Sequence, residues 1–138
     1  MAGMEERRKI VEEYANAVKK EFPCTGEYNV LVFGSFLTER CEPDSDIDIG
    51  ILSLNPGLTF RIYAFTKEYF ERLRIDCDVI RMRLVKTQYI NISIVTGHTY
   101  AATDYCPEEL ISYMKQMLEE YGDSPQETIV KAMREEVR

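Results

Sequence analysis

The chain is short of positive charge: 17 Lys and Arg stand against 24 Asp and Glu, a net charge of −7. Proteins that grip DNA or RNA through broad phosphate contacts need the opposite balance, so broad nucleic-acid binding is excluded. Long apolar runs are missing as well. The opening stretch MAGMEERRKIVEEYANAVKKEF alternates charged with apolar residues and lacks the continuous hydrophobic core of a signal peptide or a membrane span. The four cysteines, Cys24, Cys41, Cys77 and Cys106, are scattered and form no C-x-x-C pair, which argues against a zinc site. A reducing, cytoplasmic setting with free thiols is therefore expected, and the sequon-like "NIS" at Asn91 carries no meaning there. The sole histidine, His98, sits in "TGHTY" and is expected as a loop residue. Internal repeats and domain-length linkers are absent too, so the 138 residues read as one domain, 1–138, with one active centre.

Apolar residues make up 45% of the chain, enough to fill a core, and their spacing lays out its elements. Ile10, Val11, Tyr14, Val18 and Phe22 fall on one helical face, ended near Pro23. Tyr28 to Phe33 is a continuous apolar strand, as the centre of a sheet would be. "DIDIGIL" gives a second strand, with its isoleucines facing the core and its aspartates facing a site. After the turn "NPG", Thr59 to Leu73 reads as a helix with Ile62, Phe65, Tyr69 and Leu73 on one face, and "IDCDVIRM" follows as a third strand. "YINISIV" alternates Ile90, Ile92 and Ile94 with Asn91 and Ser93, which predicts a fourth strand. A C-terminal helical extension, 107–138, holds two helices. The first carries Leu110, Ile111, Met114, Met117, Leu118 and Tyr121. The second opens on the capping box of Ser124, Pro125 and Glu127, and carries Ile129, Val130, Met133 and Val137. This order predicts a small α/β (α+β) domain, a mixed β-sheet with helices packed on it.

Asp46 and Asp48 are the anomaly. Alternate strand residues share a face, so both carboxylates point one way, ~6.5 Å apart along the chain. Asp76 and Asp78 repeat the arrangement, and a neighbouring strand ~4.8 Å away would bring three or four carboxylates together. Such a group needs a cation, and hard oxygen donors suit Mg²⁺ completed by water and substrate phosphates. Two ions would serve an in-line phosphoryl transfer. Gly34 and Ser35 supply a complementary turn, where a phosphate can approach the backbone and meet a hydroxyl and amide N–H groups.

Together "FGS", ten intervening residues, "DID" and the later "CDV" resemble the minimal nucleotidyltransferase domains of the DNA polymerase β superfamily, over Tyr28 to Ile80 (core motif 28–80). The resemblance implies that Asp46, Asp48 and Asp78 are catalytic and hold two Mg²⁺ ions, with Mn²⁺ as a substitute. It implies that Gly34 and Ser35 bind a nucleoside triphosphate, with ATP favoured, and that a nucleoside monophosphate moves to a hydroxyl acceptor. Asp76 competes with Asp78 for the role of third acid. Many family members continue Gly-Ser-x-Ala-Arg-Gly, whereas Leu37, Thr38 and Glu39 stand here, leaving Arg40 as the nearest phosphate contact. The family's short members commonly act as antitoxins that modify a helical partner protein, so a helical partner or a homodimer is expected through the C-terminal helices. The other readings are a nucleotide- or partner-binding module without catalysis, and an enzyme that modifies aminoglycosides. Two blander readings fit less well. "DSDIDIG" mimics half of a calcium-binding EF-hand loop, but Gly50 falls one place late and Asn55 replaces the closing glutamate. Aspartates capping a turn would explain Asp44, but not Asp46 and Asp48 within an apolar alternation.

Overall fold

The computed structural model describes residues 3–42, 45–82, 88–105 and 108–121. Helix α1 (Met4–Glu21) leads through the turn at Cys24–Glu27 into strand β1 (Tyr28–Phe33), and β2 (Ile47–Ser53) returns beside it. Helix α2 (Pro56–Arg72) then crosses to β3 (Cys77–Arg81), followed by α3 (Gln88–Gly97), the short β4 (Tyr100–Ala101) and α4 (Glu108–Tyr121). The sheet order is β3-β2-β1-β4, with β1 antiparallel to both its neighbours and β2 parallel to β3. The expected mixed α/β sheet fold is thus the observed one. The second C-terminal helix, expected from Ser124 onward, lies outside the described residues, as does Cys106.

The sheet divides two apolar clusters because the side-chain period along a strand is two. On one face Val30 and Val32 join Ile47, Ile49 and Ile51 beneath α1 and α2, which contribute Val11, Tyr14, Val18, Leu58, Ile62 and Phe70. The hydroxyls of Tyr14 and Thr66 hydrogen-bond to each other inside that layer, so neither is left dry and unpaired. On the other face Leu31 and Leu52 meet Met82, Ile94 and Val95, with Leu110 and Ile111 of α4 packed against them. Met114 is buried at 2% exposure. Part of the apolar stripe expected to face a partner is therefore internal.

Helix α2 begins earlier than Thr59, and the reason is visible in the sequence. Asn55 is its N-cap, accepting the Leu58 N–H at 3.1 Å on its side chain, and Pro56 occupies the first helical turn, where a missing N–H is harmless. The buried face runs through Leu58, Ile62, Thr66 and Phe70, while Leu73 is exposed.

The "YINISIV" segment is not a strand but helix α3. Asn91, Ile94 and Val95 are its buried residues, the i, i+3, i+4 spacing of a helix, whereas strict alternation would have left Asn91 wet. Asn91 is instead fully enclosed and donates to the Met82 carbonyl at 2.5 Å. Only Tyr100 and Ala101 supply the fourth strand.

Candidate functional site

β1 ends at Phe33, and in the antiparallel register its partner on β2 is Asp48. On the other side of β2, in parallel register, Asp48 is aligned with Asp78 of β3. Paired residues of neighbouring strands share a face, so the two carboxylates stand side by side, on the face that carries Gly50 and Leu52 further along β2. Asp46 precedes β2, and the Ile47 N–H donates to the Asp76 carbonyl at 2.9 Å, which holds the two strand entrances together. Asp76 and Asp78 are both exposed, while Asp46 and Asp48 are half-buried.

The face bearing Asp48 is site at one end and core at the other. A Cβ added to Gly50 would lie 3.0 Å from Cγ2 of Ile94 and 3.2 Å from Sδ of Met82, so the glycine lets α3 settle directly on the strand. The expected division into a core face and a site face holds only near Asp48.

Gly34 follows β1 with φ +73°, a left-handed conformation that L side chains resist. A Cβ there would overlap the Asp48 carboxylate, standing 3.1 Å from its Cγ. Glycine is required twice, by the backbone and by the carboxylate that fills its side-chain space. The chain then coils into successive turns. Ser35 offers its carbonyl to the Thr38 N–H at 2.9 Å and to the Thr38 hydroxyl at 2.8 Å, and Thr38 Oγ1 accepts the Arg40 N–H at 3.2 Å. Ser35 is half-buried, next to the glycine, and Arg40 is exposed further along. The structure therefore brings Gly34, Ser35, Asp48 and Asp78 to one end of the sheet with Asp46 at the entrance to β2, and leaves Arg40 on the outer turn.

Electrostatics agree with this crowding. The Asp48 carboxyl is raised from its ordinary range, first by burial and then by the negative charges of Asp78 and Asp46. Cys77, between Asp76 and Asp78 in the chain, is pushed up to about 12, chiefly by burial, with Lys67 acting in the opposite direction. The Lys67 ammonium donates to the Cys77 carbonyl at 2.6 Å, bracing the strand that carries Asp78. Among the described residues, no group of three or more His, Cys, Asp or Glu side chains is drawn together tightly enough to hold a metal ion. The donor set nevertheless fits Mg²⁺: Asp48 and Asp78 offer hard oxygens side by side, and that ion takes one or two carboxylates and completes its shell with water and phosphate.

Several basic and aromatic residues have partners within the fold. Arg81 stacks over Tyr63 at 4.7 Å, Arg72 pairs with Glu68 one helical turn away at 2.5 Å, and Tyr69 packs among Tyr14, Phe65 and Phe70. His98 lies beside the end of β1, because the Thr99 N–H donates to the Val32 carbonyl at 2.8 Å. Its Nδ1 is 2.5 Å from the Val95 carbonyl, which can only accept, so that nitrogen carries the proton. Arg7 reaches the turn after Gly34 from α1, a contact between residues 29 apart that no local pattern announces.

A mixed sheet whose adjacent strands carry paired acids beside a Gly-Ser turn defines a phosphoryl-transfer class of domain. Residues 11–101, about two thirds of the chain, match the family model described as the nucleotidyltransferase domain, and the chain belongs to that family, within the polymerase β-like superfamily. The match runs past the 28–80 motif on both sides, taking in most of α1 as well as α3 and β4. No curated protein and no solved structure gave a match in the other two comparisons. The chemistry of the family is nucleotidyl transfer, and its substrate is a nucleotide.

Proposed function

We propose that this protein is a Mg²⁺-dependent nucleotidyltransferase that moves a nucleoside monophosphate, AMP favoured, from its triphosphate to a hydroxyl acceptor on another protein. The observation that carries this reading is the fit of the Asp48 carboxylate into the space a Gly34 side chain would occupy, which sets a phosphate-accepting turn directly against an acid-bearing strand. Gly34 and Ser35 hold phosphate oxygens, and exposed Arg40 is a peripheral contact. Asp46, Asp48 and Asp78 would hold the metal. Bound there, Mg²⁺ would neutralise the phosphates and stabilise the departing pyrophosphate.

In the transfer the acceptor oxygen forms a bond to the α-phosphorus as the bond to pyrophosphate breaks, and the acceptor proton passes to a carboxylate. Asp78 is the base in this reading: it is exposed, where an acceptor can reach it, and it lies in register with Asp48. Asp76 lies one pleat outside the strand, and its carbonyl is engaged by Ile47. We read 1–138 as one domain working in a reducing cytoplasm. Free Cys24, Cys41 and Cys77 suit that compartment, and none of the described helices is long and apolar enough to cross a membrane.

The test is pyrophosphate release together with titration of MgATP. Asp78→Asn is expected to spare nucleotide binding and lower transfer by about 10² to 10⁴-fold, the usual worth of a positioned base, with a much smaller effect from Asp76→Asn. ATP binding that is unchanged when metal is chelated would remove the metal-dependent reading, and binding without turnover in the presence of the acceptor would leave a nucleotide-binding module.

A further inference from the structure

Arg7 is in the wrong place for an ordinary surface cation. It sits in the first turn of α1, where the helix dipole disfavours positive charge, and it is only 7% exposed. Both costs call for compensation, and the structure supplies it from the turn after Gly34. The Nε–H of Arg7 donates to the Phe36 carbonyl at 2.8 Å, and a terminal nitrogen lies 3.4 Å from the Thr38 carbonyl. The planar guanidinium thus grips two carbonyls of one turn.

A trans peptide unit points its C=O and the following N–H in opposite directions. With the carbonyls of Phe36 and Thr38 drawn in toward α1, the N–H groups of Leu37 and Glu39 are turned away from it. Neither N–H has a hydrogen-bond partner among the described residues. Phe36 itself is buried in the core at 4% exposure, so the turn is pinned at its apolar side chain as well as at its carbonyls.

We propose that Arg7 is a positioning residue that aims the Leu37 and Glu39 amides at an anionic oxygen of the nucleotide's phosphate chain. The inference rests on the nucleotidyltransferase reading and adds to it a second pair of phosphate donors, set from outside the Gly-Ser turn by α1. It also accounts for a turn that holds phosphate with Leu, Thr and Glu after the Ser-Phe step: the donors are backbone groups, whose direction Arg7 fixes.

Four proteins test it: wild type, Arg7→Met, which keeps the bulk without the charge, Arg7→Lys, and Val11→Ala, which loosens the core packing of α1 and keeps the Arg7 guanidinium. Two readouts are needed, MgATP affinity by titration and amide hydrogen exchange of the nucleotide-free protein. The Thr38, Arg40 and Cys41 amides, hydrogen-bonded within the turn, should exchange at least tenfold faster in Arg7→Met, with β1 and β2 unchanged, and MgATP should bind at least tenfold more weakly. Arg7→Lys, which cannot grip two carbonyls at once, should fall between. If Arg7→Met leaves turn exchange or MgATP affinity unaltered, or if Val11→Ala weakens MgATP as much at an equal loss of Tm, the inference is overturned while the function stands. A wild-type protein that binds no MgATP overturns the proposed function and the ligand assigned here together.

Discussion

Gly34 and Asp48 are coupled in one direction, since any side chain at Gly34 would displace the Asp48 carboxylate. Gly34→Ala combines a left-handed backbone, which costs about 1–2 kcal/mol for an L residue, with a methyl group where the Asp48 carboxylate lies. The expected result is a protein that melts lower and transfers nucleotide about a hundredfold more slowly, because a displacement of an ångström suffices for that loss. Thermal melting beside a turnover assay checks both halves, and a full loss of stability with normal turnover would separate the glycine from the site. Asp48 makes an opposite forecast for stability. Its folded pKa is raised, so the fold favours the protonated form; that contribution is present below the ordinary carboxyl range near 4 and is lost as pH rises through the folded value. At pH 7 the ionised carboxylate therefore works against folding in metal-free protein. Asp48→Asn should raise Tm at pH 7 when metal is chelated, the gain should shrink toward pH 4, and MgATP binding should be lost. A Tm that falls at pH 7 would mean that Asp48 is held by contacts worth more than its burial and its neighbours' repulsion.

At the scale of elements, the residues that chemistry marks were legible and the packing around them was not. The alternation of Asp46, Asp48 and the isoleucines gave β2, and the same logic gave β3, because period-two patterns beside Gly, Pro and Asn turns are local signals. Helix α3 failed because Ile90, Ile92 and Ile94 satisfy a strand pattern and are β-branched, while the choice is made by Gly50 and Met82, which accept Ile94 from distant parts of the chain. Arg7 was missed for a similar reason, since its partners lie across the fold. The end of α2 offers a prediction of its own. The Arg74 N–H bonds to the Glu71 carbonyl and the Ile75 N–H to the Phe70 carbonyl, each at 3.0 Å, the two bonds of a Schellman motif, and Ile75 packs on the core cluster that contains Phe70. That motif places Arg74 at φ 56°, the one left-handed non-glycine among the described residues. Arg74→Gly should gain about 0.5–1 kcal/mol, the relief of the left-handed backbone less the added freedom of an unfolded glycine, or about 2–4 °C in Tm. A lower melting temperature would show that the Arg74 side chain makes contacts worth more than its backbone strain.

On the scale of the whole molecule, two apolar layers flank the sheet, its end at Gly34 and Asp78 is exposed with Asp48 half-buried between them, and the chain is acidic on balance. The clustering of carboxylates at that end and the net charge of −7 both repel a phosphate chain that arrives without cations, so under the proposed function a nucleotide is expected to enter with its metal and a protein is the expected acceptor rather than a nucleic-acid strand. Met114 is buried, and Leu110 and Ile111 pack half-buried against the layer beneath α3 and α4, so part of the α4 stripe is taken up inside the fold. Under the proposed function, a protein acceptor would meet the exposed residues Gly34, Glu39, Arg40, Asp76 and Asp78 around the site. With labelled ATP and Mg²⁺, the isolated chain should release little pyrophosphate and should leave added tRNA unlabelled. Adding a protein that co-purifies with it should give that protein one or more nucleotide masses by mass spectrometry. Asp78→Asn should abolish the shift without preventing the two proteins from binding. Rapid labelling of RNA ends, or of a small alcohol such as an aminoglycoside, by the chain alone would assign the acceptor to a different class and overturn the protein-modifying reading.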